Sequence, residues 1–176
     1  MSEPGMKGPG DRVPQTSFKV LRNGDWETWE SPRIFNGRTV VLFALPGAFT
    51  PTCSKSHLPG YRAQAVALRA AGVDEIYCLS MNDSYVMNAW AASLGVADEV
   101  TMLPDGNGDF TRAMGMLVEK SNLGFGFRSW RYAMLVLDGV IAKMFIEDWS
   151  DRGDPFKVSD ALTMLNHLNS RSAAAE

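Results

Sequence analysis

The chain has 176 residues, 45% of them hydrophobic, with a formal net charge of −3, two cysteines and two histidines. That length and composition predict one domain with a real core across 1–176. The small negative charge and the lack of a basic run argue against nucleic acid or an anionic membrane as a partner. No apolar segment approaches the length of a membrane span, and Met1–Gln15 lacks the apolar core of a secretion signal, so the expected setting is cytoplasmic. Two cysteines without C-x-x-C spacing make no disulfide scaffold, and with two scattered histidines they make no convincing zinc site.

Met1–Gln15 carries three prolines and three glycines and reads as an irregular N-terminal arm. Phe18–Arg22 and Trp26–Glu30 flank Asn23-Gly24, a strong hairpin signal. Ser31 to Gly37 reads as a short helical turn or loop. Thr39–Leu45 is then a near-continuous apolar run, as expected of a strand buried on both faces. A helix is predicted from Pro51, bending near Pro59, where an interior N–H is missing, and stopping at Gly72. Glu75–Ser80 is the next strand. Asp83 or Ser84 can cap a helix that carries Val86, Trp90 and Leu94. Val100–Leu103 is a strand closed by Pro104-Asp105-Gly106, and a short helix follows around Phe110 and Met114. Ser121–Ser129 reads as loop. Arg131–Leu137 and Val140–Glu147 form a hairpin about Asp138-Gly139. Ser159 is expected to cap a last helix carrying Ala161, Leu165 and Leu168, with His167 in its last turn. Helices between strands imply parallel pairing, and the late hairpin adds an antiparallel edge, so an α/β fold with a mixed sheet is predicted.

The stretch TVVLFALPGAFTPTCSKSHLPGY, Thr39–Tyr61, stands out. With Thr50 as N-cap and Pro51 as the first helical residue, Cys53 falls in the first turn. There the backbone N–H groups lack intrahelical partners and the dipole is positive, a setting that favours thiolate over thiol.

PGAFTPTC matches the P-x-x-x-T-x-x-C signature of the peroxiredoxins, and LPGAFTPTCSKSHLPGY resembles their type V subgroup, which includes plant type II and bacterial glutaredoxin-linked enzymes. The resemblance extends from about Val40 to Leu168. It implies a thioredoxin-like fold with flanking helices, which periodicity alone does not single out. It also implies a peroxidase that reduces hydrogen peroxide and small alkyl hydroperoxides through a sulfenic acid on Cys53, with no bound cofactor and an external thiol as reductant.

Such chemistry needs more than a thiolate. A free thiol has a pKa of about 8.5, so lowering it to around 6 gains at most roughly 30-fold at pH 7, about 2 kcal/mol. The remainder must come from donors aimed at the peroxide oxygens. Thr50 can offer its hydroxyl, Thr52 and Cys53 their first-turn N–H groups, Gly47 close backbone approach, and Pro46 an apolar wall. Phe49 flanks the site. The resemblance places the family's arginine on Arg131, within RYAMLVLDG, with Arg128 as competitor. His57 reads as a polar neighbour of the pocket, with a general base as the lesser reading. Cys78 reads as a small buried hydrophobe, with a resolving cysteine as the lesser reading.

Many type V enzymes keep a resolving cysteine in the segment that is here DWSDRGDPFKVSD, which has none. That departure points to a one-cysteine cycle, and GDPFKVSDA resembles members recycled by glutathione and glutaredoxin; thioredoxin remains an alternative reductant. Phe49, Phe125 and Phe127, set among glycines, suggest a homodimer through the active-site loops. The rival reading is a peroxide-sensing relay that passes oxidation to a partner by mixed disulfide. A thioredoxin-type oxidoreductase is weakened by the missing C-x-x-C.

Overall fold

The computed structural model describes residues 5–175. Strands β1 (Ser17–Arg22) and β2 (Asp25–Glu30) pair across a two-residue turn in which Asn23 and Gly24 both adopt positive φ, 53° and 86°. This is the geometry that Asn-Gly accepts at low cost. Helix α1 (Ser31–Phe35) leads to β3 (Thr39–Ala44). After a loop and a helical turn comes α2 (Leu58–Ala70), then β4 (Glu75–Ser80), α3 (Ser84–Ser93), β5 (Thr101–Pro104) and α4 (Asp109–Met114). Asp83 caps α3, its carboxylate accepting from the Val86 N–H.

The segment expected as loop over Ser121–Ser129 contains more order than its glycines suggested. β6 (Leu117–Glu119) and β7 (Phe127–Ser129) pair as a small antiparallel ribbon around a 3₁₀ turn. The strands are only three residues long, too short for any periodic signal. β8 (Tyr132–Leu137) and β9 (Val140–Ile146) form the late hairpin, and α5 (Ala161–Ala175) closes the description. The cap of α5 is Asp160, whose carboxylate takes the Thr163 N–H and hydroxyl, and not Ser159 as expected. Ser159 is committed elsewhere. His167 falls mid-helix because α5 runs on to Ala175, and its ring meets Phe145 edge-on.

The main sheet has the order β5-β4-β3-β8-β9, with β3, β4 and β5 parallel and β8 and β9 antiparallel to their neighbours. Both faces are covered. Val41, Phe43 and Leu45 pack with α2, α3 and α5, while Val40, Leu42 and Ala44 pack with the N-terminal hairpin, α1 and α4. An unbroken apolar β3 is the consequence of having no solvent face. The arm from residue 5 runs along the β8–β9 hairpin, bonding Gly10 to Ile141 and Val13 to Gly139.

Candidate active site

The chain leaves β3 through buried Pro46 and Gly47 and turns at Phe49, which holds a left-handed φ of 63° with its ring exposed. Helical geometry starts at Pro51, with the Ser54 N–H bonded to the Thr50 carbonyl, so Thr50 is the N-cap residue by backbone. Its hydroxyl proton goes to the Gly47 carbonyl at 2.7 Å and closes the loop; it makes no bond to the cysteine. Half-buried Thr52 and fully buried Cys53 follow, and among the described residues their N–H groups find no protein acceptor. The bend expected near Pro59 takes the form of a π-helical turn over Cys53–His57, with the Leu58 N–H reaching back to the Cys53 carbonyl. A one-residue widening accommodates the missing proline N–H without breaking the helix.

Arg131 is brought to the sulfur by the sheet register. Ala44 pairs with Tyr132, so Arg131 lies beside the end of β3, where the cysteine loop departs. The side chain is fully buried. Its Nη2 donates to Cys53 Sγ at 3.4 Å and to Asp154 Oδ1 at 2.5 Å, and its Nη1 donates to His57 Nδ1 at 2.9 Å. Its Nε–H has no protein acceptor among the described residues. Arg128, the competitor, points its Nε–H at the Phe125 carbonyl. It also packs over Gly47: a Cβ there would stand 3.0 Å from Arg128 Nη1. The glycine therefore admits a neighbouring guanidinium.

His57 is fully buried between Phe43 and Phe156, whose ring centroids lie 4.9 and 4.8 Å away. Because a guanidinium can only donate, Nδ1 is the acceptor and Nε2 carries the proton, donating to the Ser159 carbonyl at 3.1 Å. Burial first, and the Arg131 charge second, hold its pKa well below the ordinary imidazole value. The general-base reading fails on this geometry, since both ring nitrogens are committed and neither meets the sulfur; the polar-neighbour reading stands.

Ser159 owes its place to Glu147. One Glu147 carboxylate oxygen accepts the N–H groups of Lys157, Val158 and Ser159 and the Ser159 hydroxyl. This gathers the loop after β9 over the site and seats Asp154 against Arg131. Lys120, also buried, donates to the Gly153 carbonyl and lies 4.8 Å over the Trp130 ring. Sequence reasoning missed Asp154 and Lys120. The sequence signal for Asp154 is the GDPF segment, whose resemblance to glutaredoxin-linked members does not by itself mark the carboxylate as a partner of Arg131.

Cys78 is buried in β4, paired with Phe43 on one side and Met102 on the other. Burial, and then the neighbouring Cys53, raise its pKa well above the ordinary thiol value. Both thiols are free. Phe127 is 61% exposed and Phe49 56%, with Phe125 half-buried between them in sequence. Among the described residues no three His, Cys, Asp or Glu side chains gather as a metal site.

A buried thiol at a helix start under a guanidinium, on a mixed sheet flanked by helices, defines a thiol-based redox protein. The Redoxin family profile matches residues 8–165. A peroxiredoxin from Synechocystis is 54% identical over 175 residues, covering 93% of this chain and 92% of that one. The structure of reduced Prx3 in complex with hydrogen peroxide from Vibrio vulnificus superposes with a TM-score of 0.85 at 40% identity, covering 93% of this chain and 99% of that one. The 1-Cys peroxiredoxin of Plasmodium falciparum gives 0.86 at 33% identity, covering 94% and 99%. The chain belongs to the Redoxin family and, within it, to the peroxiredoxins, thioredoxin-like peroxidases that draw on an external thiol and need no prosthetic group.

Proposed function

We propose that Cys53 is the nucleophile of this peroxidase and that glutathione, alone or with glutaredoxin, restores it in a one-cysteine cycle. The observation that carries the reading is Arg131: one guanidinium nitrogen donates to Cys53 Sγ at 3.4 Å while the buried Nε–H has no acceptor among the described residues.

The thiolate attacks one oxygen of hydrogen peroxide or a small alkyl hydroperoxide. An S–O bond forms and the O–O bond breaks. The departing hydroxide or alkoxide takes up a proton and leaves as water or alcohol, and the cysteine, oxidised by two electrons, becomes a sulfenic acid. Arg131 and the free N–H groups of Thr52 and Cys53 stabilise the charge that builds on oxygen. Thr50, its proton spent on Gly47, orients the peroxide as an acceptor. Pro46 excludes water, and Gly47 and Phe49 line the approach. Glutathione then condenses with the sulfenic acid, releasing water, and a second thiol frees Cys53 as a disulfide of glutathione forms.

The missing cysteine after β9, the strand-locked Cys78 and the 1-Cys name of the Plasmodium neighbour support an external thiol. The Vibrio neighbour, solved with hydrogen peroxide, supports the substrate class. One domain carries the activity. Exposed Phe49 and Phe127 support a homodimer through the active-site loops, for which light scattering at micromolar concentration should give twice the chain mass. The bacterial peroxiredoxin relative supports a cytoplasmic setting, and no described helix is long and apolar enough to cross a membrane.

The test is peroxide consumption by the pre-reduced protein with glutathione and glutaredoxin, against a Cys53→Ser control. Sustained turnover lost on substitution supports both parts. Loss of one equivalent only would refute the reductant, and no loss would refute the role of Cys53.

A further inference from the structure

We propose that Asp154 is a positioning residue for peroxide reduction: by holding Nη2 of Arg131, it fixes the direction in which the guanidinium faces Cys53 and the arriving oxygen. The inference rests on the reading of Cys53 and Arg131 given above. A guanidinium is a rigid planar fork, so holding two of its nitrogens fixes the third. In Arg131 the His57 ring holds Nη1 at 2.9 Å and the Asp154 carboxylate holds Nη2 at 2.5 Å. What remains free is the Nε–H, and Nη2 still reaches the sulfur at 3.4 Å. Remove the carboxylate and one anchor is left, about which the fork can swing.

The carboxylate is itself held in place. Arg131 is 1% exposed and Asp154 20%, so the pair sits at the floor of the site. The Gly153 carbonyl, one residue earlier, accepts from buried Lys120, and the Gly153 N–H bonds to the Asp151 carboxylate. Lys120 is clamped over Trp130, which stacks on Trp149 at 4.7 Å. Glu147 ties the other end of the loop through Lys157 to Ser159. This framework spans both sides of Asp154 and ends on the arginine, and the peroxidase chemistry itself uses none of its members directly.

Charge alone would argue the other way. Sulfur and carboxylate share one guanidinium nitrogen, so two anions come close when the thiol ionises, and a like charge opposes thiolate formation. If Asp154 acted only as a charge, neutralising it should speed the reaction. If it aims Arg131, neutralising it should slow the reaction. The two accounts predict opposite signs.

The experiment compares wild type, Asp154→Asn, Arg131→Met and the double variant. It follows the second-order oxidation of pre-reduced protein by hydrogen peroxide in stopped flow, and the alkylation of Cys53 by iodoacetamide. Asp154→Asn should slow oxidation about tenfold to hundredfold, since a misaimed donor loses much of its value in the transition state. Alkylation, which needs a thiolate but no aimed donor, should stay within about threefold of wild type. In the Arg131→Met background the second substitution should add nothing, because the residue it acts through is gone.

Oxidation by Asp154→Asn at the wild-type rate or faster overturns the proposal, as does full additivity in the double variant. Should the Asn variant fail to fold, Asp154→Glu carries the test: charge kept and carboxylate displaced must still slow oxidation, and an unchanged rate overturns the proposal. Wild type that does not react with peroxide would refute the reading of Cys53 instead, so the two failures are distinguishable.

Discussion

Cys53 and Cys78 lie in the same core layer, both fully buried and both free. What differs is what points at them. Cys78 sits within a strand whose backbone groups are spent on the ladder, and its surroundings push its pKa up. Cys53 sits at the start of a helix, where N–H groups have no ladder to serve, and the guanidinium of Arg131, just before β8, donates to its sulfur. Burial makes a thiol inert, and donors make it useful. The difference between the two is a matter of backbone geometry around chemically identical groups.

Substitutions can break that comparison, beginning with the largest expected effect. Cys53→Ser should reduce peroxide turnover to background, a loss of at least about a thousandfold, since a serine hydroxyl is scarcely ionised near neutral pH; residual turnover in a coupled assay would point to Cys78. Arg131→Met should slow oxidation by about a hundredfold to a thousandfold, the scale of losing an aimed donor, with stopped-flow rates as the measure. Arg128→Met should change the same rate by less than about threefold if the guanidinium on the sulfur is the one that matters.

Smaller effects sharpen the contrast. Cys78→Ser should leave turnover within about twofold but lower stability by about 1–3 kcal/mol, because it buries a hydroxyl in an apolar layer; denaturant unfolding measures this. A Cys53–Cys78 disulfide found by mass spectrometry after peroxide treatment would overturn the inert reading of Cys78.

The last prediction concerns pH. His57 is held neutral, with its folded pKa depressed. Its stabilising contribution is therefore complete above the unfolded value of about 6.5. Below that, the unfolded chain binds a proton that the folded site refuses, and stability falls by up to about 1.4 kcal/mol per pH unit until the folded ring protonates. Melting temperatures should drop from pH 7 to pH 5, and less steeply in His57→Gln. Equal slopes would mean that other groups set the acid limit.

The local features were legible because they depend on neighbours in sequence. Asn23-Gly24 and Asp138-Gly139 fold as turns because their backbones accept positive φ. β3 reads as buried because its alternation is missing, and the Pro51 helix start follows from a residue without an N–H. The 117–129 ribbon was not legible, because three-residue strands carry no period. The cap of α5 was misplaced by one residue because both Ser159 and Asp160 can cap. The choice fell to Glu147, twelve positions before Ser159, which claims the serine.

The sequence by itself determined where the thiol stands and which helix presents it, since strand, loop and first turn are contiguous from Thr39 to Cys53. Through the resemblance to the family it also put the cation on Arg131, with Arg128 as competitor. The tertiary structure brings Arg131 to the sulfur through the register that sets Tyr132 against Ala44, and leaves Arg128 on the Phe125 carbonyl. It alone brought Asp154, His57 and Lys120 around Arg131. Pairing across a sheet and the seating of a loop depend on contacts between residues 88 positions apart for Ala44 and Tyr132, 74 for His57 and Arg131, and 23 for Arg131 and Asp154, and no local pattern encodes which distant donor meets which acceptor.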